Sequence, residues 1–179
     1  MKLIILDQAG VINESSDTFI KSPEEWIAIP GSLEAISRLT HAGYRVIIAT
    51  NQSGIGRGLL DMATYNAIND KMYRAVNQAG GRIDAIFFCP HTAADNCTCR
   101  KPATGLFAEI MQRYGVNLKS VPAVGDSLKD MQAAVAVGAL PILVLTGNGE
   151  VTRNAQDLPE QTQVYDDLAA LVDVLVGEA

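Results

Sequence analysis

The sequence predicts an α/β fold in which helices cover both faces of a parallel β-sheet. Short segments of aliphatic and β-branched residues alternate with stretches of helical periodicity, and each segment ends in polar or small residues. The segments are continuously apolar, which is typical of strands buried on both faces of a parallel sheet. The predicted strands are Leu3–Leu6, Arg45–Ala49, Ala85–Phe88, Ala123–Val124 and Ile142–Leu145.

Five helices are predicted between and after these strands. Ser32 and Asp61 are candidate N-caps of the first two, and glycines follow the first four helices, as helix ends favour. The helices are expected from Ser32 to Gly43, from Asp61 to Gly80, through Leu106, Ile110 and Met111 to Gly115, through Met131 to Val137, and over Leu168–Val176. Long loops are expected near residues 8–31 and 89–104, and such loops in compact domains are usually functional.

Length and composition restrict the class of protein. The 179 residues predict one domain over 1–179, and 48% hydrophobic with 19% charged residues is typical of a globular chain. A formal net charge of −6 argues against nucleic-acid binding, so we expect a small-molecule ligand. The chain contains neither a signal-peptide pattern nor an apolar run of membrane-spanning length, which predicts a cytoplasmic protein. We expect a monomer.

Candidate functional residues follow the predicted strands. In an open parallel sheet these positions meet at one crevice, where ligands bind. Asp7 and Asp126 offer the hard oxygen ligands that Mg²⁺ prefers, and Mg²⁺ commonly binds substrate phosphate as well. Thr50 and the amides after it can bind phosphate oxygens, while Lys101 can neutralise charge on a transferring phosphoryl group. These residues together predict phosphoryl-transfer chemistry.

Three cysteines and a histidine form a second candidate site in the loop near residues 89–104. The pattern Cys-x-His-x5-Cys-x-Cys is typical of a closed, tetrahedral structural Zn²⁺ site. Such a site has no open position for catalysis, so we expect Zn²⁺ to organise the loop and place Arg100 and Lys101. The predicted ligands are Cys89, His91, Cys97 and Cys99.

Four motifs resemble those of the haloacid dehalogenase (HAD) superfamily of phosphatases. They are an apolar strand ending in Asp7 and followed by Gln8–Asn13, Thr50 in ATNQSG, Lys101 in CRKP, and Asp126 in GDSLKD. The resemblance implies a Rossmann-like HAD fold, with Mg²⁺ held by Asp7, Asp126 and the backbone carbonyl of Ala9. It also implies that Asp7 attacks phosphorus to form an aspartyl-phosphate, that Lys101 stabilises the phosphoryl group, and that Asp130 hydrogen-bonds to the metal site.

Within the superfamily, almost the whole chain resembles the heptose bisphosphate 7-phosphatases of lipopolysaccharide-precursor synthesis, which implies a phosphosugar substrate. The resemblance implies that Arg100 contacts the substrate. Further candidate contacts follow the second strand, namely Asn51, Gln52, Ser53 and Arg57, although Arg57 equally fits an ordinary surface charge. Histidinol-phosphate phosphatases are the alternative, because their zinc loop is also similar. A phosphosugar-binding protein without turnover is the alternative from another class.

Position 9 departs from the superfamily pattern, because Ala9 stands where a second aspartate is usual. The resemblance implies that this aspartate protonates the leaving sugar oxygen and then activates water. A methyl group does neither, so we expect turnover to fall ~10²–10⁴-fold while the backbone carbonyl can still bind Mg²⁺. Three explanations stay open: an engineered inactive variant, a natural pseudoenzyme, or an active enzyme that recruits another group.

Overall fold

A computed structural model describes residues 1–177 of the chain. Strands and helices alternate along the sequence, and two short 3-10 helices lie at Pro23–Glu25 and Ala93–Asp95. The elements are β1 (Lys2–Leu6), α1 (Ser32–His41), β2 (Tyr44–Asn51), α2 (Ser53–Gly56), α3 (Met62–Gln78), β3 (Ala85–Cys89), α4 (Gly105–Tyr114), β4 (Pro122–Gly125), α5 (Leu128–Ala136), β5 (Leu140–Val144), α6 (Gly149–Arg153), β6 (Gln163–Tyr165) and α7 (Leu168–Val176). The domain predicted over 1–179 includes residues 178 and 179, which lie outside the described range.

The six strands form one parallel sheet in the order β3-β2-β1-β4-β5-β6. From β1, the strands β2 and β3 extend the sheet towards one edge, and β4, β5 and β6 extend it towards the other. The point where the order reverses lies between β1 and β4, and ligands of open α/β sheets bind at such points. The residues that follow these two strands are therefore placed for function.

Both faces of the sheet are covered by helices, as predicted. Ile4 and Leu6 of β1 pack on the side of α1, α3 and α7, while Leu3 and Ile5 pack on the side of α4 and α5. Because successive strand residues point to opposite faces, a strand buried on both faces is apolar at every position. This burial explains the continuous apolar runs in the sequence and confirms the predicted fold class.

The five predicted strands are confirmed, with shifted ends. β2 extends to Asn51, so Thr50 and Asn51 belong to the strand rather than to the turn after it. β5 ends at Val144, one residue before the predicted end. The sixth strand, Gln163–Tyr165, was not predicted, because it is a three-residue edge strand that is mostly exposed and carries little apolar pattern.

The predicted helices are also present, but one predicted cap is wrong. Gly31, with φ of +87°, occupies the N-cap position of α1, and the Ser32 hydroxyl instead donates to the Val11 carbonyl at 2.7 Å. Asp61 does cap α3, because its carboxylate accepts from the Thr64 amide at 2.8 Å. The short helices α2 and α6 were not predicted, since five residues or fewer carry almost no periodicity.

Candidate active site and metal centres

Two aspartates meet at the switch point of the sheet. Asp7 directly follows β1 and Asp126 directly follows β4, and these neighbouring strands carry their carboxylates to one place. Together with Asp130, near the start of α5, they offer carboxylate oxygens that all lie within 4.8 Å of one another. Three carboxylates so close repel one another, and a divalent cation between them would remove that repulsion.

The Asp7 carboxylate lies in a largely buried environment beside Lys101. Its Oδ1 accepts from the Gln8 backbone N–H at 2.8 Å and lies 3.6 Å from Lys101 Nζ. Burial, reinforced by the carboxylates of Asp130 and Asp126, raises the pKa of Asp7 to about 7, although Lys101 acts in the opposite direction. Without a cation, Asp7 therefore holds its proton close to neutral pH.

Asp126 is held by the segment that follows β5. Its Oδ2 accepts from the Asn148 backbone N–H at 2.9 Å, and its backbone carbonyl accepts from the Thr152 hydroxyl at 2.7 Å. Burial raises the pKa of Asp126 to about 6, even though the Asn148 hydrogen bond favours the ionised form. A Cβ atom at Gly10 or Gly147 would lie 2.1 or 2.3 Å from Oδ2, so only glycine fits at either position.

Lys101 and Asp130 form a buried ion pair beside the two aspartates. Lys101 is 3% exposed, and its Nζ lies 2.6 Å from Asp130 Oδ1 and donates to the Ala49 carbonyl at 2.8 Å. Burial alone would lower the pKa of Lys101, but the carboxylates of Asp130 and Asp7 outweigh it and raise that pKa. Lys101 is therefore a fixed cation next to the Asp7 carboxylate.

Asp130 uses its second oxygen to brace the turn after β4. Oδ2 accepts from the backbone N–H groups of Asp126 and Ser127, each at 3.2 Å, while the Ser127 hydroxyl accepts from the Asp130 N–H. This reciprocal capping box starts α5 and fixes the backbone of Asp126. The structure thus places Asp130 as a support for both Asp126 and Lys101.

The polar residues at the end of β2 form a buried network with Gln8. Gln8 is 3% exposed, its Oε1 accepts from the Tyr65 hydroxyl and from Gln52 Nε2, and its Nε2 donates to Asn69 Oδ1. Gln52 Nε2 also lies 3.3 Å from Thr50 Oγ1. The side chain at position 8 therefore points towards α3 and ties that helix to the phosphate-binding candidate Thr50.

A cavity of about 230 Å³ lies against the two aspartates. Asn51 and Gln52 contribute to its wall from the end of β2, and Ala9 contributes from the turn after β1. The loop after that turn supplies further wall residues, namely Asn13, Ser15, Ser16, Phe19 and Ile20. The long loop expected near residues 8–31 therefore contributes to the cavity wall.

Five candidate contacts to the phosphate or the substrate lie outside the wall of this cavity. Thr50 and Lys101 are buried and are not wall residues. Ser53 is buried at the start of α2. Arg57 is exposed, and its guanidinium carbon lies 5.6 Å from the ring centre of Phe19, which is itself a wall residue. Arg100 lines a neighbouring groove together with Lys129, next to the Cys/His loop. The two arginines thus provide positive charge near the cavity rather than within it.

The four predicted zinc ligands converge in the loop after β3. Their ligand atoms all lie within 4.8 Å of one another, and no disulfide joins the three cysteines. Cys97 Sγ lies 3.6 Å from Cys89 Sγ and 3.7 Å from Cys99 Sγ, and His91 Nδ1 lies 3.5 Å from Cys89 Sγ. A tetrahedral Zn²⁺ site requires separations of roughly 3.5–3.8 Å, so these three separations fit one. His91 Nδ1 and Cys99 Sγ lie slightly closer, at 3.3 Å. Cys89 and Cys99 lie closer, at 2.8 Å.

The thiols of this cluster differ in acidity. Burial, assisted by the hydrogen bond with Cys99, raises the pKa of Cys89 to about 12. Burial acts against ionisation of Cys97 as well, but hydrogen bonds from the Arg100 N–H and the neighbouring thiols outweigh it and lower that pKa to about 6. Cys97 therefore supplies a thiolate at neutral pH, and thiolate is the form that binds metal.

Comparison with known proteins identifies the family. Residues 5–133 match the family model described as polynucleotide kinase 3 phosphatase, and residues 98–171 match the one described as HAD-hydrolase-like. The D-glycero-β-D-manno-heptose-1,7-bisphosphate 7-phosphatase of Bordetella bronchiseptica is 59% identical over 179 residues, which is 100% of each chain. This chain belongs to the heptose bisphosphate 7-phosphatase family. The predicted resemblance to HAD phosphatases is thereby confirmed.

Solved structures of heptose bisphosphate phosphatases share the fold. The enzyme from B. bronchiseptica, complexed with magnesium and phosphate, matches with a TM-score of 0.97 and 59% identity over 100% of each chain. The enzyme from Burkholderia thailandensis matches with a TM-score of 0.80 and 50% identity, covering 99% of this chain and 100% of its own. Within residues 1–177, none of the helices combines the length and apolarity needed to cross a bilayer.

Several site residues of this family member escaped the sequence reasoning. Asn148 and Thr152 hold Asp126, yet neither was predicted. Asn148 follows β5 by four residues, so its place after a strand end was a signal that could have identified it. Trp26 and Tyr65 also line the cavity, but they lie in an irregular loop and a helix, and no sequence pattern pointed to the site.

Proposed function

We propose that this chain binds Mg²⁺ and D-glycero-D-manno-heptose 1,7-bisphosphate, and that Ala9 strongly impairs hydrolysis of the 7-phosphate. The observation that carries the proposal is the convergence of Asp7, Asp126 and Asp130 at the wall of one cavity, with the buried Lys101 ammonium paired to Asp130. The names of the relatives favour heptose bisphosphate over histidinol phosphate as the ligand.

Asp7 and Asp126, with the backbone carbonyl of Ala9, are the proposed Mg²⁺ ligands. The fit rests on the donor set, since two raised-pKa carboxylates facing each other are hard anionic ligands in need of a cation. Mg²⁺ bound there supplies positive charge to the phosphate oxygens. Asp130 is already committed to Lys101 and to two backbone N–H groups, which suits a supporting role better than a ligand role.

Asp7 is the proposed nucleophile. Its carboxylate attacks phosphorus, the bond from phosphorus to the sugar oxygen breaks, and an aspartyl-phosphate forms. Lys101 is fixed 3.6 Å from Asp7, where its charge stabilises the negative charge of the transferring group. Thr50 and the backbone amides after it are the proposed contacts to the phosphate oxygens.

Because position 9 is alanine, the sugar oxygen of the leaving group has no proton donor at this position. The carboxyl groups in the cavity wall are those of Asp7, Asp126 and Asp130, and all three belong to the metal and lysine cluster. Glu14 and Asp17, the nearest acids in the loop, are exposed. The described residues of the cavity wall therefore offer no other carboxyl group that could replace the missing acid, and we expect turnover to fall ~10²–10⁴-fold.

The Cys/His cluster is the proposed structural Zn²⁺ site. It ends at Cys99, immediately before Arg100 and two residues before Lys101, so a metal there fixes where both cations lie. Arg100 is a proposed substrate contact, and Ser53 and Arg57 are proposed contacts to sugar hydroxyls or to the distal phosphate. Asn51 and Gln52 contribute from the cavity wall.

The test is phosphate release from heptose 1,7-bisphosphate and from histidinol phosphate, measured with Mg²⁺ for this chain and for Ala9→Asp. We expect Ala9→Asp to release phosphate from heptose bisphosphate ~10²–10⁴ times faster than the unaltered chain. The matched control is Ala9→Asn, which has a similar size but cannot exchange a proton and should stay slow.

Binding separates the remaining possibilities. Calorimetry with heptose bisphosphate and Mg²⁺ should show similar affinity for the unaltered chain and for the slow variant Ala9→Asn. Affinity for the sugar without any gain in turnover would mean that the chain is a phosphosugar-binding protein. Preference for histidinol phosphate in both measurements would overturn the substrate assignment.

A further inference from the structure

Two residues of the cavity wall each carry a buried polar atom that has no hydrogen-bond partner within the described part of the chain. These atoms are Oδ1 of Asn13 and Nε1 of Trp26. Asn13 is 2% exposed and Trp26 is 3% exposed, and both residues line the cavity next to Asp7. Buried polar atoms are nearly always paired, so an unpaired acceptor and an unpaired donor on two wall residues point to a polar partner that the protein itself does not supply.

Backbone pairing places both side chains on the same face. Asn13 lies opposite Ala28 in an antiparallel bridge, flanked by the hydrogen bonds from Glu14 N–H to the Ile27 carbonyl and from Ile29 N–H to the Ile12 carbonyl. Side chains alternate along extended backbone, so Trp26 points to the same side as Ala28 and hence as Asn13. Residues in this diagonal relationship are within reach of one another when one of them is large.

The orientation of each polar group is fixed. Asn13 Nδ2 donates to the Glu14 carbonyl at 3.0 Å, which leaves Oδ1 as the free acceptor. Lys71 of α3 holds the Trp26 segment, because its Nζ donates to the carbonyls of Pro23 and Trp26 at 2.7 and 2.8 Å. The same Nζ lies 5.9 Å from the centre of the indole ring. The indole N–H is thus presented by a braced side chain.

We propose that Asn13 and Trp26 bind one hydroxyl group of the sugar, an inference that rests on the proposed function. A hydroxyl both donates and accepts, so it can donate to Asn13 Oδ1 and accept from Trp26 Nε1–H at once. A phosphate oxygen that carries no proton can only accept and would leave Asn13 unpaired. The pair therefore recognises the sugar rather than its phosphates, and it complements the cationic groups around Asp7.

Trp26 is the sole tryptophan of the chain, so its indole N–H gives a single resonance in a ¹H–¹⁵N spectrum. The experiment records this resonance in the unaltered chain with Mg²⁺ and inorganic phosphate, and then with Mg²⁺ and heptose 1,7-bisphosphate. We expect the sugar bisphosphate to shift the resonance and inorganic phosphate to leave it near its starting position. An unmoved resonance with the sugar bound, as shown by calorimetry, would overturn the assignment.

Trp26→Phe tests the energetic role, because it keeps an aromatic ring and removes the N–H. We expect heptose bisphosphate to bind ~3–10-fold more weakly and inorganic phosphate to bind unchanged. In the double variant that combines Ala9→Asp with Trp26→Phe, the weaker binding should raise KM and change kcat little. Equal weakening for both ligands would indicate a merely structural role and overturn the inference. Absence of heptose bisphosphate binding in the unaltered chain, with Mg²⁺ and phosphate still bound, would instead refute the proposed substrate and the hydroxyl site with it.

Discussion

Asn51 holds the backbone of Lys101 through two hydrogen bonds. Its Oδ1 accepts from the Lys101 N–H at 2.9 Å, and its Nδ2 donates to the Lys101 carbonyl at 3.0 Å. Asn51 is the last residue of β2, whereas Lys101 belongs to the loop that follows the Cys/His cluster. A side-chain amide thus joins the sheet to the loop and sets where the buried ammonium group lies.

Asn51→Ala should loosen this attachment. Removing both hydrogen bonds leaves the Lys101 peptide group partly unpaired, so we expect the free energy of unfolding to fall by ~1–3 kcal/mol. In the Ala9→Asp background, kcat should fall more than KM rises, because the misplaced charge acts on the transferring group. Urea denaturation and steady-state kinetics measure the two effects. Asn51→Asp keeps the acceptor for the Lys101 N–H but turns a second oxygen towards the Lys101 carbonyl, so it should also be destabilised. Unchanged stability in Asn51→Ala would contradict this account.

The fold could be predicted from the sequence because burial leaves a direct pattern. Continuous apolar runs such as Ile4–Leu6 and Val46–Ala49 reflect strands covered on both faces. The edge strand Gln163–Tyr165 escaped prediction because one edge has no partner and its residues are mostly exposed. Ser32 was wrongly predicted as a cap because a glycine with positive φ can start a helix without any side-chain signal.

The site was predictable where ligands follow strand ends or cluster in sequence. Asp7, Asp126 and the Cys/His cluster do so, and the structure brings the members of each set together. Asn13 and Trp26 are brought into one wall by an antiparallel pairing of two loop segments, which has no local signature. Position 8 likewise gave no sign that its side chain would turn towards α3.

Mg²⁺ should stabilise the chain more at high pH than at low pH. Burial raises the pKa of Asp7 from 3.8 to about 7 and that of Asp126 to about 6 in the metal-free chain. Such groups stabilise the fold below their unfolded-state pKa, and this contribution is lost as pH rises through the folded-state values. Stability of the metal-free chain should therefore decline between about pH 4 and pH 7.

Protons and Mg²⁺ compete for these two carboxylates. The rise in Tm on adding MgCl₂ should consequently be small near pH 5 and larger near pH 8. Thermal unfolding with and without MgCl₂ at the two pH values measures it. Asp7→Asn is the control, since it removes the group of higher pKa and should give little Mg²⁺ stabilisation at either pH. Equal stabilisation of the unaltered chain at both values would contradict the expectation.

Removal of metal from the Cys/His cluster should destabilise the loop that carries Lys101. Cys99→Ser removes one of four ligands, so we expect loss of bound zinc, measured by elemental analysis, together with a lower Tm. In the Ala9→Asp background, phosphatase activity should fall with the zinc content. The control is Thr98→Ala, which changes an exposed neighbour within the same loop and should retain zinc. Full zinc content in Cys99→Ser would argue against the proposed ligand set.

Gly147→Ala should weaken Mg²⁺ binding, because a Cβ atom there would lie 2.3 Å from Asp126 Oδ2 and 2.6 Å from the Gly10 Cα. The carboxylate must move, and displaced support of a ligand typically reduces metal affinity ~10–100-fold. Gly115→Ala is the matched control, since its φ of +63° is close to the +58° of Gly147 but no atom lies within 4 Å of the added Cβ. Gly115→Ala should lose ~1–2 kcal/mol of stability through the left-handed backbone, and Gly147→Ala should lose more because its Cβ also overlaps Gly10 and Asp126. Mg²⁺ titration should reveal weaker binding in Gly147→Ala alone. Equal Mg²⁺ affinity in the two variants would show that contact with this glycine does not position Asp126.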